Sequence, residues 1–141
     1  MGGDDVRVAI VGAGPVGLVL ALALKEYVGI KAELYEKVAC FHDDVGAGMG
    51  MYPNGLRVIR DLDLQVFGNL QKNGRPYGLR RWERHDGTEV AVADETALFA
   101  KTETPQDEQT DLQSLGIRRW RLQKVLYDAV LDAGINVHFG K

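Results

Sequence analysis

A β-branched run at residues 6–11 (VRVAIV) ends on Gly12-Ala13-Gly14-Pro15-Val16-Gly17, and that junction restricts the fold more than any other feature of the chain. The run has the pattern of a buried strand. Residues 15–27 follow as a helix: proline suits its first turn, Leu18, Val19, Leu22 and Ala23 repeat at helical spacing, and Gly29 supplies the stop. Residues 30–36 (IKAELYE) read as the next strand. Strand, helix and strand make a βαβ unit, whose crossover is right-handed. The expected class is α/β, Rossmann-like, around a parallel sheet.

Alone, a G-x-G-x-x-G is a weak signal. Its setting gives each residue a task. Gly12 permits a tight turn, Gly14 lets a pyrophosphate approach the backbone, and Gly17 lets helix and strand pack closely. The amides at the helix start, with the positive end of its dipole, stabilise phosphate charge. Glu36 closes the second strand nineteen residues after Gly17. Its carboxylate suits the two hydroxyls of an adenosine ribose and repels a 2′-phosphate, which disfavours NADP in this crevice; Lys37 next door softens that repulsion. These residues indicate a dinucleotide and leave FAD and NAD both open.

Several classes drop out. The uncharged stretch at residues 8–24 is broken by Gly12, Gly14, Pro15 and Gly17, whereas a spanning helix needs about 20 apolar residues. Asp4 and Asp5 oppose a secretory signal, and Val6 stands where a myristoylation motif wants Ser or Thr. A cytoplasmic protein without a membrane span is expected. Twenty acidic against seventeen basic residues argue against nucleic-acid binding through bulk positive charge. The single cysteine, Cys40, allows no internal disulfide, and Cys40 with His42 is too small a set for a metal site. His85 and His138 read as ordinary strand residues.

Further along, residues 46–55 (GAGMGMYPNG) read as a glycine-rich loop, with Asn54 capping a helix that carries Leu56, Ile59 and Leu62. Asp86-Gly87 between two β-favouring runs signals an inserted hairpin across residues 79–92. Its mixture of Arg80, Arg81 and Arg84 with Tyr77 and Trp82 suits single-stranded nucleic acid, but hairpin alternation accounts for it equally. Residues 93–112 are polar and acidic, the composition of a surface loop or insertion. Ile117, a helix at about 120–133 stopped by Gly134, and a strand at 135–139 complete the chain.

The segments VAIVGAGPVGLVLALAL, LYEK, GAGMGMYPNGLRVIRDLDL and IRRWRLQKVL, in this order, resemble the FAD-binding part of class A flavoprotein monooxygenases. These are aromatic hydroxylases and their fungal secondary-metabolite relatives, similar to salicylate hydroxylase and p-hydroxybenzoate hydroxylase. The resemblance implies that the turn of Gly12, Ala13, Gly14, Pro15, Val16 and Gly17 cradles the FAD pyrophosphate and that Glu36, beside Lys37, holds the ribose. It implies that the backbone of Gly46, Ala47 and Gly48 approaches the flavin side. In the family pattern a basic residue precedes a leucine by three, the spacing of Arg119 and Leu122. Arg119 would then reach the FAD, with Gln123 one turn further on. The implied reaction uses NAD(P)H as a transient reductant and O2 to hydroxylate or epoxidise a small organic substrate.

Family members run to several hundred residues, with two further cofactor motifs beyond the length of this chain. The expectation is an N-terminal portion that needs its C-terminal half or another chain, since a three-stranded sheet has edges to cover. No catalytic residue can be named. An NAD-dependent Rossmann oxidoreductase domain and an inactive remnant acting as an interaction module are the alternative readings.

Overall fold

The computed structural model describes residues 6–43, 46–95, 97 and 112–141. Strand β1 (Ala9–Val11) leads into helix α1 (Pro15–Ala23), whose Pro15 occupies the first turn and whose Leu18, Ala21 and Leu22 are buried. The expected long helix is shorter. After Ala23 the backbone widens into a π-helical turn, Leu24–Val28, which Gly29 ends at φ +73°. Strand β2 (Glu33–Glu36) pairs in parallel with β1, Ile10 opposite Leu34. Both strands begin later than their β-branched runs do, because regular pairing starts only at Ala9 and Glu33.

The chain's last strand, β8 (Val137–Phe139), pairs in parallel with the other side of β2, giving the order β1-β2-β8. The α/β class and parallel sheet hold. The helix before β8, α4 (Arg119–Asp132), buries Leu122, Leu126 and Val130 and packs against α1. Gly134, at φ +68°, closes that helix as expected. Helix α1 packs on β1 and β2, whose Ile10 and Leu34 are buried, and α4 packs against α1. The opposite face is open, with Val11 91% exposed.

A second sheet was not anticipated. Residues 46–55 are not all loop: Gly48–Met51 is strand β3, antiparallel to β7 (Leu115–Arg118), which also pairs with the short β4 (Arg75–Pro76). Leu115 and Ile117 of β7 point into the core. A Cβ at Gly74 would lie 2.5 Å from the Leu115 side chain, so β4 can dock only behind a glycine. Helix α2 (Pro53–Leu62) does bury Leu56, Ile59 and Leu62, but Asn54 is not its cap. Tyr52 holds the cap position and Pro53 opens the helix, placing Asn54 inside the first turn. Helix α3 (Leu64–Asn73) follows after one residue, Asp63, whose Oδ1 accepts from the amides of Gln65 at 2.7 Å and Val66 at 3.0 Å.

The hairpin is present as β5 (Leu79–Glu83) and β6 (Glu89–Asp94), turning at Gly87 with φ +84°. His85 lies in its turn and not in a strand. The ends of the expected acidic surface loop are not loop-like: Ala93 and Asp94 belong to β6, while Glu95 and Leu112 are buried. Residues 98–111, the bulk of that segment, lie outside the described residues. Glu95 accepts hydrogen bonds from the Ser114 hydroxyl at 2.6 Å and amide at 3.1 Å, and pairs with Arg80 Nη2 at 2.8 Å. Arg80 in turn lies 5.0 Å from the centre of the Tyr52 ring. A two-stranded hairpin is marginal by itself, and this polar cluster fixes it to the second sheet.

Glu95→Gln keeps the shape and removes the charge facing Arg80. Stability should fall by about 1–3 kcal/mol in urea unfolding. Amide exchange should accelerate across residues 80–93 more than in β1 and β2, and a uniform acceleration would contradict the tethering role.

Candidate functional site

A cavity of about 430 Å3 opens where β1 and β2 end, with Gly12, Gly14, Glu36, Lys37, Arg119 and Gln123 on its walls. Gly12 adopts φ +97°, a conformation that favours glycine, and a Cβ there would meet nothing within 4 Å. A Cβ at Gly14 would have only Arg119 Nη2, 4.0 Å away, as a neighbour. These two positions form a bare cradle. Gly17 is different: its Cβ would run into the Gly12 carbonyl oxygen, so its task is helix–strand packing. Val16 is 83% exposed and does not line the cavity. Pro15 sets the helix start, and the amides of Val16 and Gly17 precede the first intrahelical bond, donated by Leu18 to Gly14 at 3.0 Å.

The Ala13 peptide is held at both ends. Its N–H donates to Glu36 Oε2 at 2.9 Å, and its carbonyl accepts from Gln123 Nε2 at 2.8 Å. Gln123 therefore positions the turn with its amide nitrogen, a role that its expected reach towards the cofactor did not include. Glu36 Oε1 also accepts from the Val38 amide at 3.2 Å. Burial pushes the Glu36 carboxyl upward in pKa, but the amides of Val38, Ala13 and Lys37 and the Lys37 charge outweigh it and hold the group below its ordinary value.

Arg119 joins the two glycine loops. Its amide donates to the Ala47 carbonyl at 3.1 Å, its stem runs 3.4 Å from the Cβ position of Gly46, and its tip faces Gly14. Gly46 has φ +98°. Gly46 and Ala47 thus border the cavity through Arg119, whereas Gly48 already belongs to β3 and faces another cleft. Cys40 and His42, read from sequence as bystanders, stand on the cavity wall with Cys40 Sγ 3.7 Å from His42 Nε2. Their closeness to Glu36 in sequence was the available signal. The loop that carries them is fixed by edge-on contacts of Phe41 with Tyr127 and Phe139, at 5.2 and 5.0 Å between ring centres. Among the described residues no group of three or more His, Cys, Asp or Glu converges on a metal position, and no helix is long and apolar enough to cross a membrane.

The cavity's composition fits a dinucleotide: bare backbone and a guanidinium for phosphate, and a carboxylate for ribose. The sequence profile described as FAD binding domain matches residues 5–141. The chain is 32% identical over 104 residues to the FAD-dependent monooxygenase azaH of Aspergillus niger, covering 70% of this chain and 24% of that protein. It is 45% identical over 58 residues to a salicylate hydroxylase of Pseudomonas putida, covering 41% of this chain and 13% of the relative. The tetrameric form of 2-methyl-3-hydroxypyridine-5-carboxylic acid oxygenase shares the fold, with a TM-score of 0.75 at 22% identity over 98% of this chain and 32% of that one. The chain therefore spans a quarter or less of these curated relatives. Between the two dinucleotides left open by the glycine turn, FAD is the one supported. With a profile match over nearly its whole length, the chain belongs to the FAD binding domain family.

Proposed function

We propose that this chain is the cofactor-holding part of a flavin-dependent monooxygenase that uses NAD(P)H and O2 to hydroxylate or epoxidise a small aromatic or secondary-metabolite substrate. The observation that carries the proposal is the convergence of Glu36, the Gly12–Gly14 turn and Arg119 on one cavity. The names of relatives, a FAD-dependent monooxygenase and a salicylate hydroxylase, supply the reaction class.

In this reading, Gly12 and Gly14 admit the pyrophosphate to the backbone, and the start of α1 stabilises its charge. Glu36, kept ionised, accepts from the ribose hydroxyls while Lys37 borders it. Arg119 offers its guanidinium to phosphate or carbonyl oxygens, and the backbone of Gly46 and Ala47 lies towards the flavin. When bound, FAD would supply the redox chemistry, with NAD(P)H as the reductant and O2 as the oxidant. The substrate-covering part belongs to another segment or chain, which also covers the outer edge of β1 and the open face around Val11.

FAD titration followed by flavin fluorescence, with NADH as control, tests the reading; NADH binding with FAD ignored would overturn it. Gly14→Ala should leave the thermal melt intact and weaken FAD binding about tenfold or more, whereas Gly17→Ala should lower the melt itself because its Cβ meets backbone. Because the Glu36 pKa is depressed, its contribution is complete above the ordinary value of 4.5 and disappears as pH falls through the lower folded value. FAD affinity should therefore survive to below pH 4.5 and then drop, and Glu36→Gln should flatten that profile. The open sheet face should make the isolated chain self-associate; a monomer by light scattering with a cooperative melt would contradict that.

A further inference from the structure

The second sheet has an outward face that the FAD reading leaves unused. Antiparallel register places Gly50, Gly116 and Arg75 in one cross-strand row, and Gly48 and Arg118 in the next. Leu115 and Ile117 point into the core, so Gly116 and Arg118 point away from it. Together with Tyr77, and with Arg121 from the first turn of α4, these residues line an open cleft of about 530 Å3. The Tyr77 ring lies 3.6 Å from the Cβ position of Gly116, and its hydroxyl stands 2.5 Å from that of Gly50. A Cβ on Gly50 would displace the Tyr77 hydroxyl, whereas one on Gly116 would make ordinary contact with the ring.

We infer that this cleft is a recognition site for an oxyanion, a carboxylate or a phosphate group. Three arginines from three separate elements line it and, among the described residues, no Asp or Glu does, in a chain whose net charge is −3. The side chains of Arg75 and Arg118 have no hydrogen-bond or ion-pair partner among the described residues, while Arg121 lies 5.2 Å from the centre of the Trp120 ring. Gathering like charges raises the local potential, which an anion offsets, and the planar fork of arginine matches the oxygens of carboxylate and phosphate alike. The Tyr77 ring covers Gly50 and Gly116, while the Cβ position of Gly48 meets nothing within 4 Å, so the open part of the floor lies beside Gly48 with the Tyr77 hydroxyl near it. Arg118 and its neighbour Arg119 thus serve different cavities: Arg119 faces the FAD loops, and Arg118 faces the cleft. The inference does not depend on the cofactor reading.

Backbone amide NMR of the chain without FAD tests it, using benzoate as the carboxylate probe, inorganic pyrophosphate as the phosphate probe, and chloride at matched ionic strength as control. Saturable shifts at the Gly48, Gly50 and Gly116 amides beyond those with chloride are expected. Saturation by benzoate alone assigns the cleft to an organic acid, by pyrophosphate alone to a nucleotide phosphate, and by both to the shared oxyanion chemistry. Arg75→Gln and Arg118→Gln should each weaken binding about three- to tenfold. Arg84→Gln, the same charge change on the hairpin, should leave it unaltered. Tyr77→Phe, which keeps the ring on its glycines, separates loss of the hydroxyl from loss of structure. Shifts no larger than with chloride, or equal weakening by Arg84→Gln, would overturn the proposal and leave the FAD assignment untouched.

Discussion

The two hydrogen bonds on the Ala13 peptide connect parts of the chain that are otherwise distant. One partner, Glu36, is 23 residues away at the end of β2, and the other, Gln123, is 110 residues away on α4. Ala13 itself is fully buried, so neither bond can be replaced by water without cost. Through them the curvature of the glycine turn depends on the spacing of β2 and on the seating of α4. The turn is thereby held in shape before any ligand arrives, which lowers the ordering cost of binding. Gly17 adds the steric half of the same constraint by letting the Gly12 carbonyl come closer than any side chain would permit.

The parts of this arrangement that sequence made legible are local ones. The β1–α1–β2 unit follows from an apolar run, a proline and glycines, and the stops at Gly29 and Gly134 follow from positive φ. What escaped depends on partners far along the chain. Four glycines between residues 46 and 55 suppress strand propensity, and β3 exists because β7 pairs with it. Helix α3 escaped because a single residue, Asp63, separates it from α2, so their two apolar patterns run together. Glu95 looked like the start of a surface loop because acidic residues follow it; Arg80 and Ser114 make its burial tolerable.

The candidate site was legible to a similar depth. Glu36, the paired glycines and Arg119 were found from spacing and resemblance, and they do meet at one cavity. The bond of Gln123 to the Ala13 carbonyl was not legible, since a side-chain amide gives no hint in sequence of whether it will face a ligand or a backbone carbonyl. The aromatic contacts of Phe41, Tyr127 and Phe139 show the converse case. They touch no candidate ligand group, but they set the position of the loop that closes the cavity beyond Glu36.

The passage from β7 to α4 has no linker. Arg118 is the last strand residue, with φ −70° and ψ 136°, and Arg119 is the first of the helix. Extended backbone followed directly by helix sends two adjacent side chains in different directions. A loop would absorb a gained or lost residue, but here each one turns the helix by about 100°. Such a turn would carry Leu122, Leu126 and Val130 out of the core and Gln123 away from Ala13 at once. Insertions and deletions should therefore be excluded at this junction while substitutions remain open, making it a fixed point of register from which both flanking cavities diverge.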